Sequence, residues 1–273
     1  MILGMKVRKH DLNDMLKFQR KLLEFHFSDS DLMLELEHDF DMRLIVHCYE
    51  YYDKKLLDIA SLGETNQIHS QEKTIELIQR AIDKTVLLNK HFKGIPSLVV
   101  HPGGYSLNEL PPIDIEKMKN KMLDAVKQLD VKNINFLMEN MPPYAWFFGG
   151  RWNSNVFLNS YDIIEYCNET GLKICYDLCH SQLYCNKLGI DLIGELTKIV
   201  NHVDHFHLSD AEGVDGEGLQ IGEGTMNYEK IIPILNNFAE KSFAIEVWKG
   251  HENGGRGFRE FLDKIKQKGL IIN

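Results

Sequence analysis

Short apolar segments alternate with longer amphipathic segments about eight times along this chain, and this alternation restricts the possible folds more than any other feature. The first apolar segment is residues 2–7 and the last is residues 243–247. Two amphipathic segments carry clear helix signals, because Ser70 and Ser160 are residue types that cap helix N-termini. Regular alternation is typical of α/β folds with a parallel sheet, and eight repeats predict a single (β/α)8 TIM barrel.

The composition is that of one large globular domain. The chain has 273 residues, of which 44% are hydrophobic, and α/β barrels of about 250 residues commonly form one domain. No linker rich in Pro, Gly or Ser interrupts the sequence, so we expect residues 1–273 to form a single domain. The chain has five cysteines, an odd number, and its N-terminal apolar run is too short for a signal peptide or membrane span. These features predict reduced thiols and a cytoplasmic protein without a membrane partner.

The charge of the chain bears on its partners. A net charge of -9 argues against a broad basic face for nucleic acid, so we expect nucleic acid not to be a partner. The same charge leaves room for a small anionic substrate that a few local cations hold. The predicted partner is therefore a small molecule.

Each of the last four predicted strands ends in a residue that can bind a divalent metal. These residues are Glu139, Asp177, His207 and Glu246. Parallel strands end side by side at the C-terminal rim of a TIM barrel, where such enzymes build their active sites, so we expect these side chains to meet. One histidine and three carboxylates suit Mn, Mg, Co or Zn. The alternative is four separate solvated loop residues, but their common position at strand ends favours a site.

Other polar residues are expected near the same rim. His47 lies on the inward face of the third predicted strand, and His101 follows the fourth, so both are expected to contact substrate. On the second strand, Glu24 and His26 share the inward face, where buried polar groups need partners or a ligand.

Two loops add candidate binding elements. Residues 141–157 are rich in aromatic side chains, and we expect them to form a lid in which Trp146 and Arg151 contact the substrate. The alternative is a hydrophobic patch that meets a partner subunit in a homo-oligomer. Residues 253–257 are rich in glycine and, with Lys249 and Arg256, predict a clamp for a phosphate or carboxylate. The alternative there is a flexible turn before the last helix.

Six short motifs, taken in order, resemble those of the xylose isomerase-like TIM barrel superfamily, which includes sugar-phosphate isomerases, epimerases and endonuclease IV-type enzymes. The motifs are HPGG at 101, MEN at 138, CYDLCH at 175, HLSD at 207, IGEG at 221 and AIEVW at 244. The resemblance implies metal binding by the four strand-end residues and a substrate contact by His180. In epimerase-type members the glutamates that match Glu139 and Glu246 also act as the acid/base pair.

The chain departs from the endonuclease IV pattern at places where a three-metal site would have histidines. The SLGE stretch has Glu64, and an Asp-x-His motif is replaced by Asp215 and Glu217, although these carboxylates could bind additional metals. The leading hypothesis is therefore a divalent-metal sugar or sugar-phosphate isomerase or epimerase that works through an enediolate. The stretches MPPYAWFFGG and DGEGLQIGEG also resemble sugar-isomerase-like proteins associated with biosynthesis of sialic-acid-type sugars. The alternatives are a metal-dependent hydrolase or phosphodiesterase of the endonuclease IV type and a non-catalytic sugar-binding barrel.

Overall fold

In the computed structural model, which describes residues 1–18 and 20–273, eight parallel strands close into a barrel. Numbered β1 to β8, they are Ile2–Val7, Leu22–His26, Arg43–His47, Ser97–Val100, Asn135–Glu139, Ile174–Asp177, Val203–Leu208 and Ser242–Ile245. Each strand pairs with its neighbours in chain order, and β1 closes the barrel by pairing with β8, where Leu3 lies opposite Phe243. The predicted (β/α)8 TIM barrel is confirmed.

Helices pack around the outside of the barrel. Numbered α1 to α8, they are Leu12–Leu16, Gln71–Leu88, Pro112–Val126, Ser160–Thr170, Leu178–Leu188, Leu192–Ile199, Tyr228–Asn236 and Glu252–Gln267. Ser70 caps α2 as predicted, since its side chain accepts the backbone N–H of Lys73. The predicted cap of α4 is wrong by one residue, because Asn159 accepts the backbone N–H of Asp162 and Ser160 lies inside the helix. No helix in the described part of the chain is long and apolar enough to cross a membrane.

The alternation of side chains along each strand separates two cores. Outward residues such as Leu3 and Met5 belong to the large core between the strands and the helices. Inward residues form a smaller apolar cluster inside the barrel: Leu22, Ile45, Val99, Leu137 and Cys175. The next inward residue of each strand toward the C-terminal rim is mostly polar. The sequence thus places a polar layer directly above an apolar floor.

Short hairpins that follow β3, β5 and β7 surround the C-terminal rim, and we call them the rim hairpins. Their strands are Tyr51–Tyr52 with Lys55–Leu56, Tyr144–Phe147 with Gly150–Ser154, and Asp210–Glu212 with Gly216–Leu219. Buried Asp58 fixes the turn after β4 by accepting the backbone N–H groups of Gly104 at 2.7 Å and Tyr105 at 3.1 Å. Gly103 has φ +79° there, and a Cβ atom on it would lie 2.3 Å from Asp58 Oδ1, so a side chain does not fit.

Candidate metal centre

The four predicted strand-end residues converge at the rim, and we call Glu139, Asp177, His207 and Glu246 the four-ligand group. One potential ligand atom from each lies within 4.8 Å of all the others. β5 and β6 end on Glu139 and Asp177, β7 carries His207, and Glu246 follows β8 directly. Three of these side chains are buried, whereas Glu246 is 30% exposed. The convergence follows from parallel strands ending at one rim.

His207 lies at the centre of the four-ligand group. Its Nδ1 atom is 2.7 Å from Glu246 Oε2, 2.9 Å from Glu139 Oε1 and 4.0 Å from Asp177 Oδ2. Burial alone would lower the pKa of His207, but the surrounding acidic groups, Cys175 and Glu139 first among them, raise it well above its usual value. Without a metal, this imidazole is therefore a cation among carboxylates.

Glu24 lies below His207 and was not predicted as part of a metal site. Its Oε1 is 3.0 Å from His207 Nε2, and its Oε2 is 2.8 Å from His205 Nε2. Burial opposes ionisation of Glu24, yet His207 and Lys6 hold its pKa well below the usual range. A carboxylate on the far nitrogen of a histidine is the usual arrangement behind a metal ligand, because it orients the ring and fixes its tautomer.

Lys6 is the second site residue that the sequence interpretation missed. Its buried Nζ donates to Glu246 and lies 3.6 Å from Glu24 Oε1. Burial would lower the pKa of Lys6, but the two carboxylates raise it above its ordinary value. The period-two alternation of β1 was the available signal, since Lys6 falls between the outward residues Met5 and Val7.

The residues of the four-ligand group fit a divalent metal. Burial raises the pKa of Asp177, and the neighbouring carboxylates of Glu246 and Glu139 raise it further. Glu246 Oε2 is buried and, although it lies 2.7 Å from His207 Nδ1, it makes no well-directed hydrogen bond within residues 1–18 and 20–273. Crowded carboxylates with an unsatisfied oxygen need a counter-charge, and three oxygen donors with one imidazole match the preferences of Mn, Zn, Co or Mg.

Two more imidazoles lie on the other side of Glu139. The Nε2 atoms of His47 and His101 are 3.2 Å and 3.3 Å from Glu139 Oε2, and these three residues form a second group that could hold a metal. The Nδ1 atom of His47 is 2.9 Å from the carbonyl oxygen of Cys48, which favours a proton on Nδ1 and leaves Nε2 facing the carboxylate. Both histidines predicted to bind substrate therefore lie at the site.

His180 lies in the first turn of α5, above the four-ligand group. Asp177 caps this helix by accepting the backbone N–H of His180 at 2.8 Å, and His180 Nε2 is 3.7 Å from Glu217 Oε2. Burial opposes protonation, but Asp177, Glu139 and Glu217 raise the pKa of His180 to about 9. Limited contact with solvent at the C-terminal rim raises the pKa of Glu217 to about 7, although part of its side chain remains exposed. Glu217 thus lies near His180, but it is in none of the potential metal groups of the described residues, so its role as an additional ligand stays a prediction.

The other two carboxylates predicted as additional ligands also lie outside these groups. Glu64 is 56% exposed on the surface and pairs with Lys55 at 2.5 Å. Asp215 Oδ2 is 3.6 Å from Arg151 Nη1, and Asp215 is in none of the potential metal groups of the described residues.

The predicted lid is a structured hairpin rather than a free loop. Trp146 is 53% exposed on it, so its stacking on substrate stays a prediction. Trp152 is only 3% exposed and packs with Tyr105 and Met141, so it does not offer a stacking surface to a substrate. The guanidinium of Arg151 lies 4.4 Å from the ring centre of Tyr144, and this contact keeps it beside the hairpin.

Lys249 and Arg256 line an exposed groove beside the rim. The groove also carries three carboxylates, which outnumber the two cations: Glu223, Glu252 and Glu260. The run 253–257 interrupts α8 near its start, where the left-handed backbone angles of Asn253, Gly254 and Gly255 make a non-helical kink. The backbone N–H of Gly255 already donates to His251 O at 2.9 Å, so that amide is not free for an anion. Anion binding by Lys249 and Arg256 stays a prediction.

A family model described as "Xylose isomerase-like TIM barrel" matches residues 15–268 of this chain. Two uncharacterized proteins of Methanocaldococcus jannaschii are similar in sequence. One is 28% identical over 246 residues, which are 87% of this chain and 82% of that protein. The other is 24% identical over 226 residues, which are 79% of this chain and 72% of that protein.

Solved structures with this architecture cover nearly the whole chain. A D-tagatose 3-epimerase-like protein has a TM-score of 0.71 and 19% identity, covering 98% of this chain and 99% of its own. Endonuclease IV from Thermus thermophilus has a TM-score of 0.63 and 16% identity, and the match covers 98% of this chain and 100% of the endonuclease chain. An L-ribulose 3-epimerase has a TM-score of 0.69 and 11% identity, and the match covers 98% of this chain and 94% of the epimerase chain. At these identities the likeness shows the fold alone.

Proposed function

The chain belongs to the xylose isomerase-like TIM barrel family, and from that premise we propose that it is a divalent-metal-dependent isomerase or epimerase of sugars or sugar phosphates. One observation carries the proposal: Glu139 and Glu246 approach Nδ1 of His207 to 2.9 Å and 2.7 Å, so two carboxylates meet at one point of the rim. Two such groups can remove a proton from a carbon atom and return it. Neighbours with the same fold include proteins named as epimerases, which supports this class of reaction.

The four-ligand group would hold the metal. When bound, the metal supplies positive charge that stabilises the enediolate oxygens of a substrate deprotonated next to its carbonyl group. Glu24 orients His207 from behind, so that Nδ1 rather than Nε2 faces the other ligands.

The two glutamates act as base and acid in this proposal. Burial opposes ionisation of both, but His207 holds the pKa of each well below its usual range, and Lys6 does the same for Glu246. Glu246 is therefore ionised and accepts the proton from the carbon next to the carbonyl group. Glu139, after taking up a proton from solvent, delivers it to the same carbon from the other side or to the neighbouring carbon, which gives an epimer or an aldose–ketose isomer respectively, and Glu246 then releases its proton to solvent. His180, a cation with a pKa of about 9, donates to a substrate oxygen.

The resemblance of the stretches at residues 141–150 and 215–224 to sugar-isomerase-like proteins supports a finer proposal for the metabolic setting. Within the same reaction class, we place the enzyme in the biosynthesis of sialic-acid-like sugars. A substrate panel that includes amino sugars tests this setting.

A second candidate function has its own supporting observation. His47, His101 and Glu139 form a further group of potential ligands that shares Glu139 with the four-ligand group. Two metals that share a carboxylate are typical of hydrolases that cleave phosphate esters. The net charge of -9 disfavours DNA as the substrate, so a small phosphodiester fits this alternative better.

Solvent-proton exchange separates the two functions. Metal-loaded protein is incubated in D₂O with a panel of ketoses and ketose phosphates. One of these sugars should gain deuterium at the carbon next to its carbonyl group, and mass spectrometry detects the change in mass. Glu246→Gln should abolish exchange, because it removes the base. Glu64→Gln, a surface change on a residue paired with Lys55, is the matched control. Hydrolysis of bis(p-nitrophenyl) phosphate without deuterium exchange into any ketose would instead support the phosphodiesterase.

A further inference from the structure

The inward-facing residues at the rim divide into two chemical halves. The half over β5 to β8 carries the four-ligand group. The half over β1 to β4 carries a guanidinium and three imidazoles: Arg8, His26, His47 and His101. Arg8 follows the last residue of β1 directly, and its guanidinium contacts His251, the residue before α8. A molecule bound at the rim would meet carboxylates over β5 to β8 and nitrogen atoms over β1 to β4, of which His47 and His101 also contact Glu139.

Arg8 is held in a way that preserves its charge. Its Nη1 donates to Nδ1 of His251 at 3.4 Å, and no carboxylate of the described residues lies within the 4.0 Å of a salt bridge to its guanidinium. Burial lowers the pKa of His251 and Arg8 lowers it further, so the imidazole is a neutral acceptor. The nearby carboxylate of Asp11 accepts the backbone N–H of Arg8 at 2.6 Å instead. Most of the five guanidinium N–H groups thus remain available to a ligand.

His26 offers a further polar atom at the same place. Its ring stacks on His47 with 4.7 Å between ring centres, and its Nδ1 is buried with no hydrogen-bond partner in residues 1–18 and 20–273. An unsatisfied buried ring nitrogen is costly, and a ligand in the mouth would satisfy it.

We infer that Arg8, supported by His251 and His26, binds an anionic group of the substrate on the β1–β2 side of the rim, outside the four-ligand group. The group is a phosphate or a carboxylate, since both match the planar fork of a guanidinium and two parallel N–H donors. The inference rests on the proposed function and narrows it to acidic or phosphorylated sugars. The groove with Lys249 and Arg256 is the rival location, and its three carboxylates make it less suited to an anion.

Calorimetric titration of manganese-loaded protein with matched ligand pairs tests the inference. D-ribulose 5-phosphate and D-ribulose differ by a phosphate, and D-ribonate and ribitol differ by a carboxylate. Wild-type protein should prefer the charged member of at least one pair, which also identifies the anion. Arg8→Gln should weaken that charged member about ten-fold or more, because it removes a charge-assisted hydrogen bond, and should change the neutral member less than about two-fold.

Arg259→Gln is the matched control, since Arg259 lies on α8 and donates to the backbone oxygen of Gly254. Circular dichroism and thermal unfolding check that Arg8→Gln is folded. Arg8→Lys, which keeps the positive charge, should retain part of the preference for the charged ligand. The inference is overturned if neither pair shows a preference, if Arg8→Gln weakens both members equally, or if Arg256→Gln alone removes the preference. Failure of the proposed function is a separate result, because absent deuterium exchange with an intact Arg8-dependent preference would leave the anion subsite standing.

Discussion

Substitution of Glu24 tests the proposed metal centre at the scale of one residue. Its Oε1 is 3.0 Å from His207 Nε2, behind the face that the other ligands share. Glu24→Gln should lower metal affinity about 10- to 100-fold, because the neutral amide no longer fixes the ring and its tautomer. Competition with a chromophoric chelator measures the affinity, with Glu64→Gln as a surface control. Unchanged affinity in the Glu24 variant would show that it does not position His207.

The contact between Lys6 and Glu246 leads to a prediction about how metal affinity depends on pH. It holds the pKa of Glu246 low, so Lys6→Met should raise that pKa and move the acid limb of metal binding to higher pH. Apparent metal affinity should therefore fall more at about pH 5.5 than at about pH 8. Titrations across this range check the result. Two profiles that stay parallel at all pH values would mean that Lys6 does not control the ionisation of Glu246.

The sequence predicts the candidate metal ligands better than it predicts the residues that contact and orient them. Glu139, Asp177, His207 and Glu246 each mark a strand end, and strand ends can be located from local patterns. Glu24 and His205 are 181 residues apart, and Lys6 and Glu246 are 240 residues apart, so these contacts exist only once the barrel has closed. Inward alternation places Glu24 inside the barrel but cannot identify its partner.

Among the structural elements, the turn after β4 depends on the protonation state of Asp58. Three backbone N–H groups stabilise the carboxylate, yet burial outweighs them and raises its pKa to about 6 from an ordinary value of 3.8. The folded protein thus binds this proton more tightly than the unfolded chain. The proton contributes stability below about pH 4, and that contribution is lost as pH rises through about 6.

Asp58→Asn removes this titration. The free energy of unfolding of wild type minus that of Asp58→Asn should therefore decrease by on the order of 1–3 kcal/mol between about pH 4 and pH 6.5. Urea unfolding at a series of pH values measures the difference. The variant is expected to be less stable throughout, since its amide group replaces an oxygen that accepts backbone N–H groups. A difference that does not vary with pH would show that Asp58 has an ordinary pKa.

The rim hairpin at residues 144–154 contains two tryptophans with opposite expected roles. Trp146 is half-exposed, so Trp146→Ala should weaken sugar binding several-fold and leave stability within about 0.5 kcal/mol. Trp152 is buried, so Trp152→Ala should destabilise the fold by about 3–5 kcal/mol. Titration and thermal unfolding of both variants check this. A change of oligomeric state in Trp146→Ala with unchanged sugar binding would instead assign Trp146 to a subunit interface.

At this scale, the sequence locates the elements but not their details. The aromatic run at residues 141–157 predicts a lid, but local patterns do not show that Trp152 packs inward against Tyr105. The glycine run at residues 253–257 allows a turn before a helix as one interpretation. Its left-handed residues, Asn253, Gly254 and Gly255, form a non-helical kink near the start of α8, which agrees with that interpretation, because glycine adopts such angles without strain.

For the whole molecule, the barrel separates stability from chemistry. Apolar residues inside the lower barrel and between strands and helices hold the fold, whereas the charged groups gather at one rim. The eightfold alternation is enough to predict this frame, because it is repeated along the whole chain. The division of the rim into a half with metal ligands and a half with Arg8 and histidines requires the closed structure.

The measurement that bears most directly on the central claim is metal content in wild-type protein and in Asp177→Asn. The asparagine keeps an oxygen that can accept the backbone N–H of His180 at the start of α5, but it removes the ligand charge. After dialysis against limiting chelator, elemental analysis should find about one divalent metal per wild-type chain and a large loss in the variant. Circular dichroism should show the same folded barrel in both. Full metal content in folded Asp177→Asn, or no metal retained by the wild type after loading with Mn, Zn, Co or Mg, would contradict the account.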